Sequence, residues 1–175
     1  MGNVSRVGIL KDILAKENLD RVGIQETIKQ SFTDWKLMAL TPGHSYQWNW
    51  LPAKGHSGGI LVGVKNDFTE VEGWNLGEHF LGVDIRQRNN NFRWRLLVVY
   101  GPANHELSRG FLTELDSTIK ASPLPFLVGG DFNLIRYLSD NSNNRGDRNL
   151  IGAFNDFIND NDLRELYRGG QIYLD

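Results

Sequence analysis

The stretch from Phe92 to Tyr100 constrains this chain more than any other. Phe92, Trp94, Leu96, Val98 and Tyr100 alternate with Arg93, Arg95, Leu97 and Val99, and Gly101-Pro102 then stops the run. Alternation at period two specifies a strand, and the Gly-Pro pair ends it. Runs of such strands with single helices between them argue against a doubly wound parallel sheet.

Other segments provide the layers. Val4, Val7, Leu10 and Leu14 fall at helical spacing, ending near Lys16. Arg21 to Thr27 reads as a short buried strand with a polar end, and Ser31 with Asp34 resembles a capping box opening a short helix through Trp35 and Met38. Tyr46, Trp48 and Trp50 share one face of a strand, and Ile60-Leu61-Val62-Gly63-Val64 forms another after Gly58-Gly59. Strands follow at about 68–75 and 80–88, with a turn at Asn89-Asn90-Asn91. Phe111, Leu115 and Ile119 mark a helix, Pro125 to Val128 a buried strand ending in Gly129-Gly130, and Asp140 to Asn149 a loop. A last helix turns Ile151, Phe154, Phe157 and Ile158 inward. Hairpins interrupted by single helices predict two packed sheets with helices outside, in one domain over residues 1–175.

Composition removes several function classes. The chain has no cysteine, which excludes disulfides, thiolate nucleophiles and Cys-type zinc sites. Its 19 basic and 21 acidic residues give a formal charge of −2, which argues against a strongly basic, sequence-blind nucleic-acid binder. No apolar run approaches the roughly 18 residues of a membrane span. Met1 to Arg6 shows no secretory signal and fits the myristoylation pattern poorly, so no membrane partner is expected.

Four clusters sit at strand ends, where a rigid sheet can present side chains. Gln25-Glu26-Thr27 places a carboxylate that could bind a hard divalent cation, or simply a solvated loop glutamate. In Gly129-Gly130-Asp131-Phe132-Asn133, Asp131 could move a proton and Asn133 donate to a developing oxyanion; alternatively both side chains bond only a local Asx-turn. Tyr100 in Tyr100-Gly101-Pro102-Ala103-Asn104 is a phenol facing a phosphate, or an aromatic closing the core beside Trp94 and Val98. His56-Ser57-Gly58-Gly59 is an anion cradle or a tight turn. His44, His56, His79 and His105 lack partners at metal-ligand spacing and read as surface or loop residues.

Taken together and in this order, the stretches Val22 to Thr27, Gly55 to Leu61, Val98 to Pro102, Gly129 to Ile135 and Phe154 to Leu163 resemble the endonuclease/exonuclease/phosphatase superfamily, the fold of DNase I. The closer resemblance is to the endonuclease domain of plant non-LTR retrotransposons. It implies a four-layered α/β/β/α sandwich and a Mg²⁺-dependent phosphodiesterase acting on DNA, in an intracellular setting that includes the nucleus. By the same resemblance Glu26 holds the Mg²⁺, Tyr100 contacts the scissile phosphate, Asp131 handles a proton and Asn133 stabilises the transition state.

The match has gaps. The family's first strand carries Trp-Asn-x-Arg-Gly, whereas Met1-Gly2-Asn3 resembles only the end of that segment. Tyr173-Leu174-Asp175 stands where the family has Tyr-Thr-Trp, and the later strands with a Ser-Asp-His are not in this sequence. The expectation is an incomplete domain with weak Mg²⁺ binding, impaired or absent catalysis, and self-association through uncovered strands. A catalytically inactive binding module is the alternative, and a sugar- or peptide-binding sandwich using Trp48 and Trp50 is a third reading.

Overall fold

A computed structural model describes residues 6–55 and 58–166. Within it α1 (Arg6–Glu17), β1 (Arg21–Gln25), α2 (Asp34–Met38), β2 (Tyr46–Leu51) and β3 (Ile60–Lys65) come first. They are followed by β4 (Thr69–Leu76), β5 (Phe80–Gln87), β6 (Arg93–Tyr100), α3 (Ser108–Lys120), β7 (Phe126–Asp131) and α4 (Arg148–Asp160). The strands form two sheets, β1-β3-β2 and β4-β5-β6-β7. Every ladder is antiparallel except β6 with β7, which α3 connects by a crossover.

Three cores account for four layers. Ile60, Val62 and Val64 of β3 meet Leu81, Val83 and Ile85 of β5 and Leu96 and Val98 of β6 between the sheets. Phe80, Leu97 and Val99 face the other way, onto Phe111, Leu115 and Ile119 of α3 and Phe154, Phe157 and Ile158 of α4. Leu14 and Leu37 of α1 and α2 cover Val22 and Leu61. The order is α/β/β/α, two packed sheets with helices outside, as expected.

Several local expectations shift. The strand over 125–128 was expected to be buried; β7 is instead an outer strand, and Leu127 is 40% exposed because Phe126 and Val128 alone turn toward the helices. Helix α2 is entered through Thr33 without a side-chain cap bond, so the Ser31–Asp34 capping box does not form. At α4 the cap is Asp147, whose carboxylate accepts from the N–H groups of Asn149 and Leu150, so the loop ends before Asn149. Leu150 is buried there, while Ile151 is only half-buried. Val7 is exposed rather than part of the apolar face of α1, and Val4 lies outside the described residues.

Tyr46, Trp48 and Trp50 do share a face, but they pack onto the core beneath α1 and α2, and Tyr46 stacks on Trp48 at 5.4 Å. That burial removes the open aromatic platform a sugar-binding reading needs. Among the described residues, no helix is long and apolar enough to cross a membrane.

Candidate active site

Glu26 stands where β1 leaves its ladder. The register pairs Gln25 with Ile60, and the next N–H to return to the partner strand is that of Thr27, bonded to Gly59 O at 3.3 Å. Glu26 is the residue passed over, with φ of 52°. An irregularity of this kind turns a side chain away from its strand face. Here it sends the carboxylate across to the second sheet, where the Tyr100 hydroxyl donates to it.

Tyr100 ends β6, directly opposite Asp131 at the end of β7. Gly101 N donates to Asp131 O at 2.7 Å, closing the two strand ends together. The Asp131 carboxylate then accepts the Asn133 N–H at 2.8 Å, and the Asn133 side-chain amide donates to Gly101 O at 2.7 Å. Gly130 makes this approach possible. It has φ of 134°, and a Cβ there would fall 2.1 Å from Val99 O and 2.5 Å from Gln25 Nε2. The same Gln25 amide donates to Val99 O at 3.4 Å, tying β1 to β6 just below the site.

The four residues singled out by motif, Glu26, Tyr100, Asp131 and Asn133, are therefore brought to one end of the sandwich. The Asp131 carboxylate makes the Asx-turn bond and is exposed beside Tyr100, whereas the Asn133 side chain bonds Gly101 O, 32 residues back, rather than its own turn. Tyr100 packs against the inter-sheet core while its hydroxyl faces the carboxylates. His56 and Ser57 of the fourth cluster lie outside the described residues, as do Asn3 and Leu174. What spacing did not reveal is Gln25, whose partner lies 74 residues away.

The electrostatics are those of an acidic cleft. The bond to Glu26, burial, and the nearby charges of Glu26 and Asp131 push the Tyr100 phenol up to about 12. It stays protonated at neutral pH and acts as a hydrogen-bond donor. Among the described residues, no group of three or more His, Cys, Asp or Glu side chains could hold a metal ion. Mg²⁺ nevertheless takes one or two carboxylates and completes its octahedron with waters and substrate phosphate. Glu26, an exposed carboxylate at a strand end, fits that kind of open site.

The chain matches the Endonuclease/Exonuclease/phosphatase family over residues 2–175. Comparison with curated proteins finds no match. Among solved structures it is similar to the AP endonuclease LMAP from Leishmania major, at 14% identity and a TM-score of 0.65, covering 89% of this chain and 61% of that one. It is similar to an endonuclease/exonuclease/phosphatase family protein from Bacteroides thetaiotaomicron at 12% identity and a TM-score of 0.61, covering 89% of this chain and 58% of the other. D. rerio TDP2, complexed with single strand DNA product, is similar at 19% identity and a TM-score of 0.55, covering 74% of this chain and 54% of that chain. Identities this low establish a shared fold, and the chain spans little more than half the length of these structures.

Proposed function

The chain belongs to the endonuclease/exonuclease/phosphatase family, and from that premise we propose that its strand-end cluster binds and hydrolyses phosphodiesters of DNA. The observation that carries the reading is the meeting of Glu26 with Tyr100 across two different sheets, with Asp131 as Tyr100's register partner. A core needs no such convergence of an exposed acid, a protonated phenol and a second acid. The TDP2 and AP endonuclease likenesses support a nucleic-acid substrate.

In this reading the Tyr100 hydroxyl exchanges Glu26 for a phosphate oxygen as its acceptor. Asp131 takes a proton from the attacking water as the new P–O bond forms, and the ester oxygen leaves as an alcohol by taking a proton from solvent as its P–O bond breaks. The Asn133 amide turns from Gly101 O to the oxygen that gains charge. Glu26 would hold Mg²⁺, which when bound supplies charge neutralisation at the phosphoryl oxygens. A setting within a plant retrotransposon-type protein, acting in the nucleus, is the corresponding proposal for context, supported by the ordered sequence motifs alone.

One observation favours a second reading, a binding module without turnover. The Asp131 carboxylate already accepts from its own turn, and the Asn133 amide already donates to Gly101 O beyond the end of β6, so both must be released to act. Nicking of plasmid DNA with and without Mg²⁺ separates the two. The enzyme reading expects Mg²⁺-dependent nicking, slow in this chain, that Asp131→Asn abolishes; a general acid–base group contributes about 10²–10⁴-fold. Oligonucleotide binding without any nicking supports the module, and nicking untouched by Asp131→Asn defeats the site assignment.

We also propose self-association along the outer strands β1 and β7, supported by the exposed Leu127. Light scattering over a concentration series tests it. A mass that stays monomeric throughout would refute it.

A further inference from the structure

Seven non-glycine residues have positive φ among those described: Asn18, Glu26, Ile28, Asn91, Asn133, Asn144 and Asp162. Asn and Asp tolerate that conformation through short polar side chains. The exceptions are Glu26 and Ile28, and both lie on the loop leaving β1. Glu26 has its reason in the bond to Tyr100. Ile28 has no comparable reason. It is β-branched, the side-chain type least suited to φ of 51°, and it is 54% exposed, so core packing does not hold it there.

Its backbone is pinned on both sides. Ile28 N donates to Gly58 O at 3.0 Å, and the following carbonyl, Lys29 O, accepts from Ala53 N at 2.9 Å. Gln30 Nε2 then donates to Ala53 O at 2.6 Å. These bonds fix the turn, and an Asn or Gly would satisfy them with less strain. Gly58 in turn lies against the site, since a Cβ on it would be 4.0 Å from the Tyr100 ring. Ile28 therefore holds an exposed, apolar, branched side chain two residues beyond Glu26, on a backbone bonded to the Gly58 that lies against the Tyr100 ring, in a conformation its own chemistry disfavours. Residues held in such conformations by the surrounding structure cluster at ligand-binding and catalytic sites.

We propose that Ile28 is a substrate-binding residue, whose side chain covers the apolar sugar and base surface of the nucleoside next to the phosphate at Tyr100. The assignment rests on the phosphodiester reading and names the part of the substrate that the charged groups cannot recognise. It predicts discrimination between a nucleotide chain and a bare phosphate at the same site.

The test uses the chain with Ile28→Asn, Ile28→Gly and Ile28→Leu. Thermal melting, fluorescence-anisotropy binding of a short single-stranded oligodeoxynucleotide, and competition by inorganic phosphate are measured for each. Ile28→Asn and Ile28→Gly should melt higher, by about 2–4 °C. They should bind the oligonucleotide about 3- to 10-fold more weakly, the loss expected from one partly buried apolar side chain. Phosphate competition should be unchanged, and Ile28→Leu should restore most of the oligonucleotide affinity. Stability up with affinity down is an outcome that a merely structural role would not produce. Oligonucleotide affinity that is the same in Ile28→Asn as in the unsubstituted chain overturns this assignment while leaving the phosphodiester reading in place. An unsubstituted chain that binds phosphate but no oligonucleotide overturns both.

Discussion

Strands β3 and β7 look alike as apolar runs, Ile-Leu-Val-Gly-Val against Phe-Leu-Val, and the fold treats them oppositely. All six residues of β3 are buried, and Val62 and Val64 have no exposed surface. It lies between β1 and β2, with the second sheet on one face and helices on the other. In β7 no residue is fully buried, and its last three, Gly129, Gly130 and Asp131, are exposed. The central strand holds the sandwich together, while the outer strand brings Asp131 to an exposed end. β1 follows the same rule: it is an outer strand, and its end delivers Glu26. Both carboxylates of the candidate site thus come from the ends of outer strands, and Tyr100 comes from the end of the inner strand β6.

The largest effect that would break this contrast is a charge placed in β3. Val62→Asp should cost about 3–5 kcal/mol or prevent folding, because a carboxylate with no partner is forced between packed faces. Circular dichroism and a melting curve read it directly. A folded Val62→Asp protein melting near the parent would show that β3 is not the structural centre.

Within β7 the contrast sharpens to neighbouring residues. Gly130→Ala should destabilise by at least roughly 1–3 kcal/mol, since its φ and its contact with Val99 O both exclude a side chain. Gly129→Ala should stay within about 0.5 kcal/mol, because nothing lies within 4 Å of its added Cβ. Urea midpoints for the pair test it, and equal losses would mean the strand end is not closely packed.

A smaller effect links the two outer strands through Tyr100. Its phenol is raised from 10.0 to about 12 by the bond to Glu26 and by burial. The protonated phenol is the form the fold favours, so its contribution is whole below about pH 10 and is lost as pH climbs toward about 12. Burial raises the Tyr46 phenol as well, so spectroscopic titration should show the Tyr100 phenolate as the late-ionising signal that moves back toward 10 in Glu26→Gln while that of Tyr46 stays in place. A titration unchanged by that substitution would mean that Glu26 and Tyr100 are not bonded in solution.

The smallest expected effect is at Leu127. Leu127→Thr should change stability by no more than about 0.5 kcal/mol, because its side chain is already 40% exposed. A loss comparable to a core substitution, seen by denaturant unfolding, would show that another surface covers this outer strand.

Much of this protein is determined by its sequence alone. Local periodicity set the strands, since side-chain alternation is a property of neighbouring residues. Hairpins interrupted by single helices pointed to two sheets with helices outside, and the ordered motifs named Glu26, Tyr100, Asp131 and Asn133. The tertiary structure decided which strands are central and which are outer, because an apolar run has the same spacing in either place. It alone decided that β7 is exposed, that the Trp48 face is core, and that Glu26 reaches Tyr100 from another sheet. Gln25 on Val99 and the strained Ile28 were also beyond local reading. Their conformations are imposed by partners tens of residues away, and no spacing rule extends across that distance.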